Sequence, residues 1–147
     1  MEDQGRISIR EVNTAEELEH ALAVRVKVLE AEQGFAHDIN VDGLDEFADH
    51  VLILDDGVPV ATARLAVTDS GDGKIARIAV LGSHRGVGLG KRLIRGLEGV
   101  AKRRGLRTLH VEPHAHLEPF FRALGYERIT EPVTVGPHRL LGMVKRL

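Results

Sequence analysis

The chain has 147 residues, enough for one domain with a full hydrophobic core. Its apolar content of 43% argues against disorder, and its formal net charge of −2 argues against nucleic acid as a partner. Because it lacks cysteine, it can form no disulfide, thiolate metal site or cysteine nucleophile. The polar start is unlike a signal peptide, and no apolar run is long enough to cross a membrane, so we expect a cytoplasmic protein without membrane contacts.

The first half of the chain predicts strands around one helix and one acidic segment. Alternating polar and apolar residues over 6–12 predict a strand, and a helix should follow from a cap at Asn13 or Thr14 to about residue 32. Residues 34–47 are acidic and irregular. Two further strands, at 50–54 and 58–67, are separated by Asp-Asp-Gly, which predicts a hairpin.

The second half predicts a buried strand at 74–81 and an amphipathic helix at 88–104, separated by a glycine-rich turn. Beyond this helix, the pattern predicts a strand, a short helix and two closing strands at 106–111, 117–124, 126–129 and 140–144.

The glycine-rich turn, residues 85–90, is the most informative segment. Its sequence is Arg-Gly-Val-Gly-Leu-Gly, and it leads from a strand into a helix N-terminus. Such a turn presents free backbone N–H groups, and the helix dipole adds partial positive charge behind them. Glycine lets a phosphate approach the backbone, and Arg85 can add a charged fork to the same oxygens. We therefore expect an anion site suited to phosphates.

Known phosphate-binding motifs fit this turn poorly. A P-loop requires Lys and then Ser or Thr after its last glycine, whereas Lys91-Arg92 follows Gly90. A Rossmann fingerprint is GxGxxG near the start of a doubly wound sheet, whereas here GxGxG follows several antiparallel strands. Three alternating glycines and an arginine also argue against a turn without a ligand.

A third motif fits. Arg85, Gly88 and Gly90 resemble the R/Q-x-x-G-x-G/A signature of the GNAT acetyltransferases, and residues 120–126, FFRALGY, resemble that family's later F-Y-x-x-x-G-F segment. Further residues resemble the ElaA-like subgroup: Arg25, Val28, Glu32, Gln33, Asp42, Asp45, His50, Pro137 and His138. The resemblance implies one α/β domain over 1–147. Its sheet would have about six or seven mostly antiparallel strands, with a central parallel βαβ splay, and there would be about four helices.

The resemblance also implies acetyl-CoA as co-substrate. Its pyrophosphate would bind the glycine-rich turn, and its pantetheine arm would pair with backbone exposed where strands 74–81 and 106–111 splay apart. The implied coenzyme-binding residues are Ala79, Val80, Arg85, Gly86, Val87, Gly88, Leu89, Gly90, Lys91, His114 and Phe121.

The implied activity is N-acetyl transfer by direct attack of an amine on the thioester. Phe121 takes the position of a tyrosine that often protonates the leaving thiolate, and the only tyrosine, Tyr126, should pack in the core. The leaving thiolate would then be protonated by water or by another side chain, or it would depart without a proton donor. The alternative is a catalytically silent acyl-CoA-binding module.

The sequence leaves the general base open among three residues, His50, Glu32 and Glu112. The acidic segment is either a solvated face or one wall of the acceptor site. As a wall, it would favour a cationic small-molecule amine. We expect no metal, although His110, His114 and His116 could be surface groups, coenzyme or substrate contacts, or ligands. A homodimer is compatible with the sequence.

Overall fold

The computed structural model describes residues 6–147. In this part of the chain the strands are β1 (Ile7–Glu11), β2 (Asp49–Asp55), β3 (Val58–Val67), β4 (Gly73–Val80), β5 (Thr108–Val111), β6 (Glu127–Arg128), β7 (Val133–Val135), β8 (His138–Leu140) and β9 (Met143–Arg146). A seven-stranded sheet has the order β1-β2-β3-β4-β5-β9-β6, and β7 pairs with β8. Among the strands of residues 6–147, only β4 and β5 are parallel neighbours, so the predicted mixed sheet is confirmed.

The helices are α1 (Ala15–Arg25), α2 (His37–Asn40), α3 (Leu89–Arg103) and α4 (Glu118–Ala123). As predicted, Thr14 caps α1, since its hydroxyl accepts a hydrogen bond from the backbone N–H of Glu17 at 3.1 Å. The chain continues from α1 as a π-helix over Val26–Glu32. No helix within residues 6–147 combines the length and hydropathy that a membrane crossing requires.

The β2–β3 hairpin forms as its sequence predicts. Asp56 and Gly57 are the two loop residues, and both have positive φ, 52° and 84°. A two-residue loop with this conformation matches the right-handed twist of the strands it joins, and Asp-Gly adopts it readily. The hairpin places β2 and β3 side by side between β1 and β4.

The core lies between the sheet and α3. The buried face of α3 carries Leu89, Leu93, Ile94, Leu97 and Val100, which pack in one cluster with apolar side chains of β2, β3 and β4. Each fully buried side chain of this size contributes roughly 1.5–3 kcal/mol. A smaller cluster, Val24, Val28, Leu29 and Ala79, joins α1 and its π-helical continuation to β4.

The parallel pairing of β4 with β5 is short. It joins Gly73 to Leu109 and ends where Ile75 meets Val111. Beyond that point β4 contains a bulge, in which Arg77 and its successor lie opposite one residue of β3, and Arg77 has a φ of 54°. A bulge bends a strand, so β4 turns away from β5 after Ile75. This divergence leaves room for a cleft.

The C-terminal prediction is wrong in one respect. Residues 140–144 do not form one strand, because the chain leaves β8 at Leu141 and enters β9 in the other sheet at Met143. The Leu141 N–H donates to Pro113 at 3.0 Å, and the Gly142 N–H donates to the Thr130 hydroxyl at 2.7 Å. These bonds hold the chain where it passes between sheets. Strand β7 was not predicted.

Gly73 should be the least replaceable glycine in the core. A Cβ there would lie 2.6 Å from the Leu109 side chain and 3.0 Å from that of Leu65, so Gly73→Ala should lower the free energy of unfolding by about 1–3 kcal/mol. Gly99→Ala is the matched control, since its Cβ would lie 3.6 Å from Arg103 on α3, and it should raise stability by roughly 0.5–1 kcal/mol. Urea unfolding measures both, and equal effects would contradict the packing argument.

Candidate active site

A cavity of about 580 Å³ lies where β4 diverges from β5. One wall is β4 from Lys74 to Val80, and another is the end of β5 with the residues after it, Val111 to His114. The π-helical segment, α2, α4, the N-terminal part of α3 and the β7–β8 hairpin also contribute to the lining. The cleft therefore adjoins both the splayed strands and the glycine-rich turn.

The glycine-rich turn has the geometry of an anion site. Gly86 and Gly88 have φ values of 80° and 86°, which favour glycine, and Gly88 precedes the first residue of α3. Within residues 6–147 no side chain caps this end of α3. The first N–H groups of α3 are therefore left for an external acceptor. Val87 and Lys91 are exposed, whereas Leu89 packs into the core.

Arg85 is tied to the wall of the cleft. Its Nε donates to the Val80 carbonyl at 3.0 Å, and its Nη2 forms an ion pair with Glu32. Glu32, one of the three predicted bases, is therefore paired with an arginine, and it does not line the cleft. Nη1 of Arg85 remains for an anion at the turn.

Ala79 and Phe121, both predicted coenzyme contacts, are buried. Ala79 is 1% exposed and does not line the cleft, whereas its neighbours Ile78 and Val80 do. Phe121 lines the cleft from α4 and packs edge-on against Tyr126, with ring centroids 5.8 Å apart. The Tyr126 hydroxyl donates to Glu98 at 2.8 Å, and burial and this bond raise its pKa. Tyr126 is thus a core residue, as expected, and supplies no proton to the cleft.

His50 lies outside the cleft lining. It is 4% exposed on β2, and its Nε2 lies 3.0 Å from the Asp45 carbonyl oxygen. Burial lowers its pKa, so the ring is neutral near pH 7. A catalytic role for His50 stays a prediction, and from this position it could reach a substrate only through other groups.

Arginines bind two aspartates of the acidic segment, Asp42 and Asp45, which favours the alternative in which this segment is not an acidic wall for a cationic amine. Arg64 binds both carboxylate oxygens of Asp42, at 2.8 and 2.9 Å, and Arg25 binds Asp45 at 2.7 Å. Hydrogen bonds from Arg64 hold the pKa of Asp42 well below its usual value. Neither aspartate lines the cleft. The arginines come from α1 and β3, so charge counting within the segment could not find them.

His114 lines the cleft and belongs to an aromatic group that the sequence did not predict. Its Nε2 lies 3.1 Å from Nδ1 of His138, whose ring stacks on Phe35 at 3.8 Å between centroids. Burial, and then the charges of His138 and His116, lower the pKa of His114. The ring is therefore neutral near pH 7 and can accept a proton. The sequence predicted His114 as a coenzyme contact, but it assigned no role to His138 and did not single out Phe35.

Glu112 lies just after β5 and lines the cleft. Its carboxylate forms an ion pair with Lys74, and its side chain is 57% exposed. Of the three predicted bases, Glu112 is the one that the structure brings to the cleft. His110 instead pairs with Asp72 at 2.9 Å, away from the cleft. Within residues 6–147, no group of three or more potential ligands is arranged to hold a metal ion.

Residues 14–126 match the model of the Acetyltransferase (GNAT) family. The uncharacterized N-acetyltransferase YjcF of Bacillus subtilis is 32% identical over 116 residues, which cover 79% of this chain and 82% of YjcF. The uncharacterized protein YyaT of the same species is 31% identical over 127 residues, which cover 82% of this chain and 83% of YyaT.

Solved structures share the fold. An acyl-CoA N-acyltransferase from Pseudomonas aeruginosa has a TM-score of 0.86 at 27% identity, covering 95% of this chain and 99% of its own. ElaA of Escherichia coli has a TM-score of 0.85 at 24% identity, with coverage of 95% and 99%. A GNAT family acetyltransferase from Elizabethkingia anophelis, solved with acetyl-CoA bound, has a TM-score of 0.72 at 12% identity, with coverage of 97% and 99%.

Loss of the Asp45 charge should destabilise the fold in a pH-dependent way. Burial alone would raise the pKa of Asp45, but hydrogen bonds and charge from Arg25 and Arg64 outweigh it and lower the pKa. The ionised carboxylate therefore stabilises the fold above its unfolded pKa, about 3.9, and this stabilisation is lost as pH falls through the lower folded value. We expect Asp45→Asn to cost about 3 kcal/mol at pH 7.

Urea unfolding of Asp45→Asn and the wild type between pH 7 and pH 3 measures this cost. The difference should shrink as the pH falls below about 4. Asp69→Asn, at an exposed position, is the control and should match the wild type throughout. A difference that does not change with pH would show that the carboxylate charge is not what stabilises the cluster.

Proposed function

We propose that this chain, which belongs to the acetyltransferase (GNAT) family, transfers an acetyl group from acetyl-CoA to a small-molecule amine. One observation carries the proposal. A glycine-rich turn with two left-handed glycines leads into an uncapped helix N-terminus beside the cleft where β4 leaves β5. A phosphate site next to exposed strand backbone suits a pyrophosphate with a long amide-containing arm.

In this proposal the residues of the turn, 85–91, bind the pyrophosphate through backbone N–H groups, and the pantetheine arm lies along β4 at Ala79 and Val80. Val80 lines the cleft and would make these contacts, whereas Ala79 is buried and could contribute only after a local rearrangement of the strand. His114 and Phe121 border the same cleft and would contact the arm and the thioester. Glu32 positions Arg85 through their ion pair.

The amine must be neutral before it attacks the thioester carbon, so the cleft needs a proton acceptor. Glu112 and His114 are the candidates, since both line the cleft and, within residues 6–147, only Nε2 of the neutral His114 ring has a hydrogen-bond partner. Phe121 has no acidic proton, and the Tyr126 hydroxyl is held by Glu98. In this mechanism the departing thiolate is therefore protonated by solvent or by the proton that the amine releases.

A catalytically silent acyl-CoA-binding module is the second candidate. The observation that favours it is Phe121, at the position where a proton donor would be expected. Both candidates bind acetyl-CoA, but only the enzyme releases free coenzyme A thiol when amines are added.

Coenzyme binding should depend on the backbone at Gly88. Valine there would be strained at a φ of 86° and would place methyl groups at the anion site, so we expect at least about a tenfold loss of acetyl-CoA affinity. Gly71→Val is the matched control, since its φ of 87° brings the same strain in a turn outside the cleft. Calorimetry on the folded variants measures both, and unchanged affinity in Gly88→Val would place the anion site elsewhere.

Amine-dependent thiol release tests the reaction itself. With a broad panel of primary amines, the wild type should release coenzyme A, and Glu112→Gln should lower kcat by about 10²-fold while retaining acetyl-CoA affinity. Glu127→Gln, on β6 outside the cleft, is the control and should match the wild type. Binding of acetyl-CoA without thiol release from any amine would favour the silent module.

A further inference from the structure

We infer that the acceptor carries a carboxylate beside its amine, that Arg77 binds this carboxylate, and that the acceptor is a free amino acid with an apolar side chain. The inference rests on the proposed function and names its substrate class. It replaces the cationic acceptor that the acidic segment suggested, because the aspartates of that segment are bound by arginines.

Arg77 is held rigidly and has one nitrogen unoccupied. It lies on the β4 bulge, lines the cleft, and its side chain is 21% exposed. Its Nε donates to the Asn40 carbonyl at 3.1 Å, and its Nη2 donates to the Ile39 carbonyl at 2.5 Å and to Asp42 at 3.0 Å. Nη1 has no hydrogen-bond partner within residues 6–147. A guanidinium fixed on one side with free N–H groups on the other suits a carboxylate.

The charge of Arg77 is poorly compensated. Its one carboxylate partner, Asp42, already receives two hydrogen bonds from Arg64. The other aspartate, Asp45, is shared by Arg25 and Arg64. Three guanidinium groups thus share two carboxylates, so an arriving anion would meet an attractive field at Arg77.

The surroundings of Arg77 agree with an incompletely compensated charge. Burial, and then the charge of Arg64, lower the pKa of Arg77, and the attraction of Asp42 does not outweigh them. The nearby carboxylate of Glu30 accepts a hydrogen bond from the Asn40 side chain at 2.7 Å and is not among the partners of Arg77. Arg77 stays charged at any physiological pH, because arginine does not deprotonate in proteins.

The other cations of the cleft have carboxylates of their own. Lys74 pairs with Glu112, and Arg85 pairs with Glu32, each without a competing arginine or lysine on the same carboxylate among residues 6–147. Arg77 is therefore the cleft cation with most to gain from a substrate carboxylate.

An apolar surface lies in the same cleft. It is formed by Val28, Leu29, Phe35 and Ile39, from the π-helical segment and the residues after it. Because apolar surface favours apolar groups, it suits an aliphatic or aromatic substituent. A free amino acid has the three required groups on one carbon: the carboxylate for Arg77, the side chain for this surface and the amine for the thioester. A peptide N-terminus has an amide in place of the carboxylate.

The test compares matched acceptors. Leucine, methionine and phenylalanine are each assayed as the acid, the amide and the decarboxylated amine, with kcat and KM measured by thiol release. We expect kcat/KM about 10- to 100-fold higher for the acids, the range for a hydrogen bond to a charged group, and expressed mainly in KM. This preference should appear although the amides are more readily deprotonated.

The variant Arg77→Gln should remove the preference for acids over decarboxylated amines, and Arg77→Lys should retain part of it. Because Arg77 also holds residues 39–42, all rates could fall in Arg77→Gln, so the readout is the ratio of acid to amine. A purely structural role would not change this ratio. Arg107→Gln, at an exposed position outside the cleft, is the control and should keep the wild-type ratio.

The inference is overturned if no acid is acetylated, if the amides or decarboxylated amines are better substrates, or if the ratio survives in Arg77→Gln. Preference for the amides would indicate a peptide N-terminus as acceptor. None of these results overturns acetyl transfer from acetyl-CoA to an amine, which fails if acetyl-CoA does not bind or if the broad amine panel releases no thiol.

Discussion

The bulge in β4 is the constraint on which the site depends. Arg77 adopts a left-handed backbone conformation, which costs a residue other than glycine about 1–3 kcal/mol. The hydrogen bonds from its side chain to the carbonyls of residues 39 and 40 offset this cost. The bulge thereby opens β4 away from β5 and, through the same residue, fixes the segment that faces the opening. The shape of the cleft and the position of its wall are set together.

Ion pairs, more than apolar packing, hold the segment that forms this wall of the cleft. Between residues 34 and 48 large apolar side chains are exposed, Phe47 at 81% and Leu44 at 47%, whereas Asn40 and the arginine that binds it are buried. A buried ion pair contributes little net stability, but it is directional and penalises alternatives that leave a charge unpaired. These ion pairs therefore contribute more to selecting a single conformation of the segment than to the free energy of unfolding.

The sequence predicted features whose cause is local. The Asp-Gly hairpin, the Thr14 cap and the glycine-rich turn follow from conformational preferences of a few adjacent residues, and the mostly antiparallel sheet with one parallel pair followed from a family resemblance. The core position of Tyr126 was also foreseen.

The features that the sequence did not predict depend on contacts between residues that are far apart in the chain. From the sequence, Asp42 and Asp45 could be interpreted as part of an acidic wall, because their arginine partners lie far away in the sequence, on α1 and β3. The aromatic group around His114 unites residues from three separate segments. The break at Gly142 lies inside an apolar run, and only tertiary hydrogen bonds reveal it.

The C-terminal hairpin of β7 and β8 has a consequence for how this protein can diversify. Val135 and Leu140 line the cleft from this hairpin, and His138 stacks on the opposite wall, yet all three lie beyond the region 14–126 that matches the family model. The glycine-rich turn lies within that region. Changes in the hairpin can therefore reshape one side of the cleft while the glycine-rich turn, the proposed coenzyme site, stays intact, so selection can act on the two sides separately.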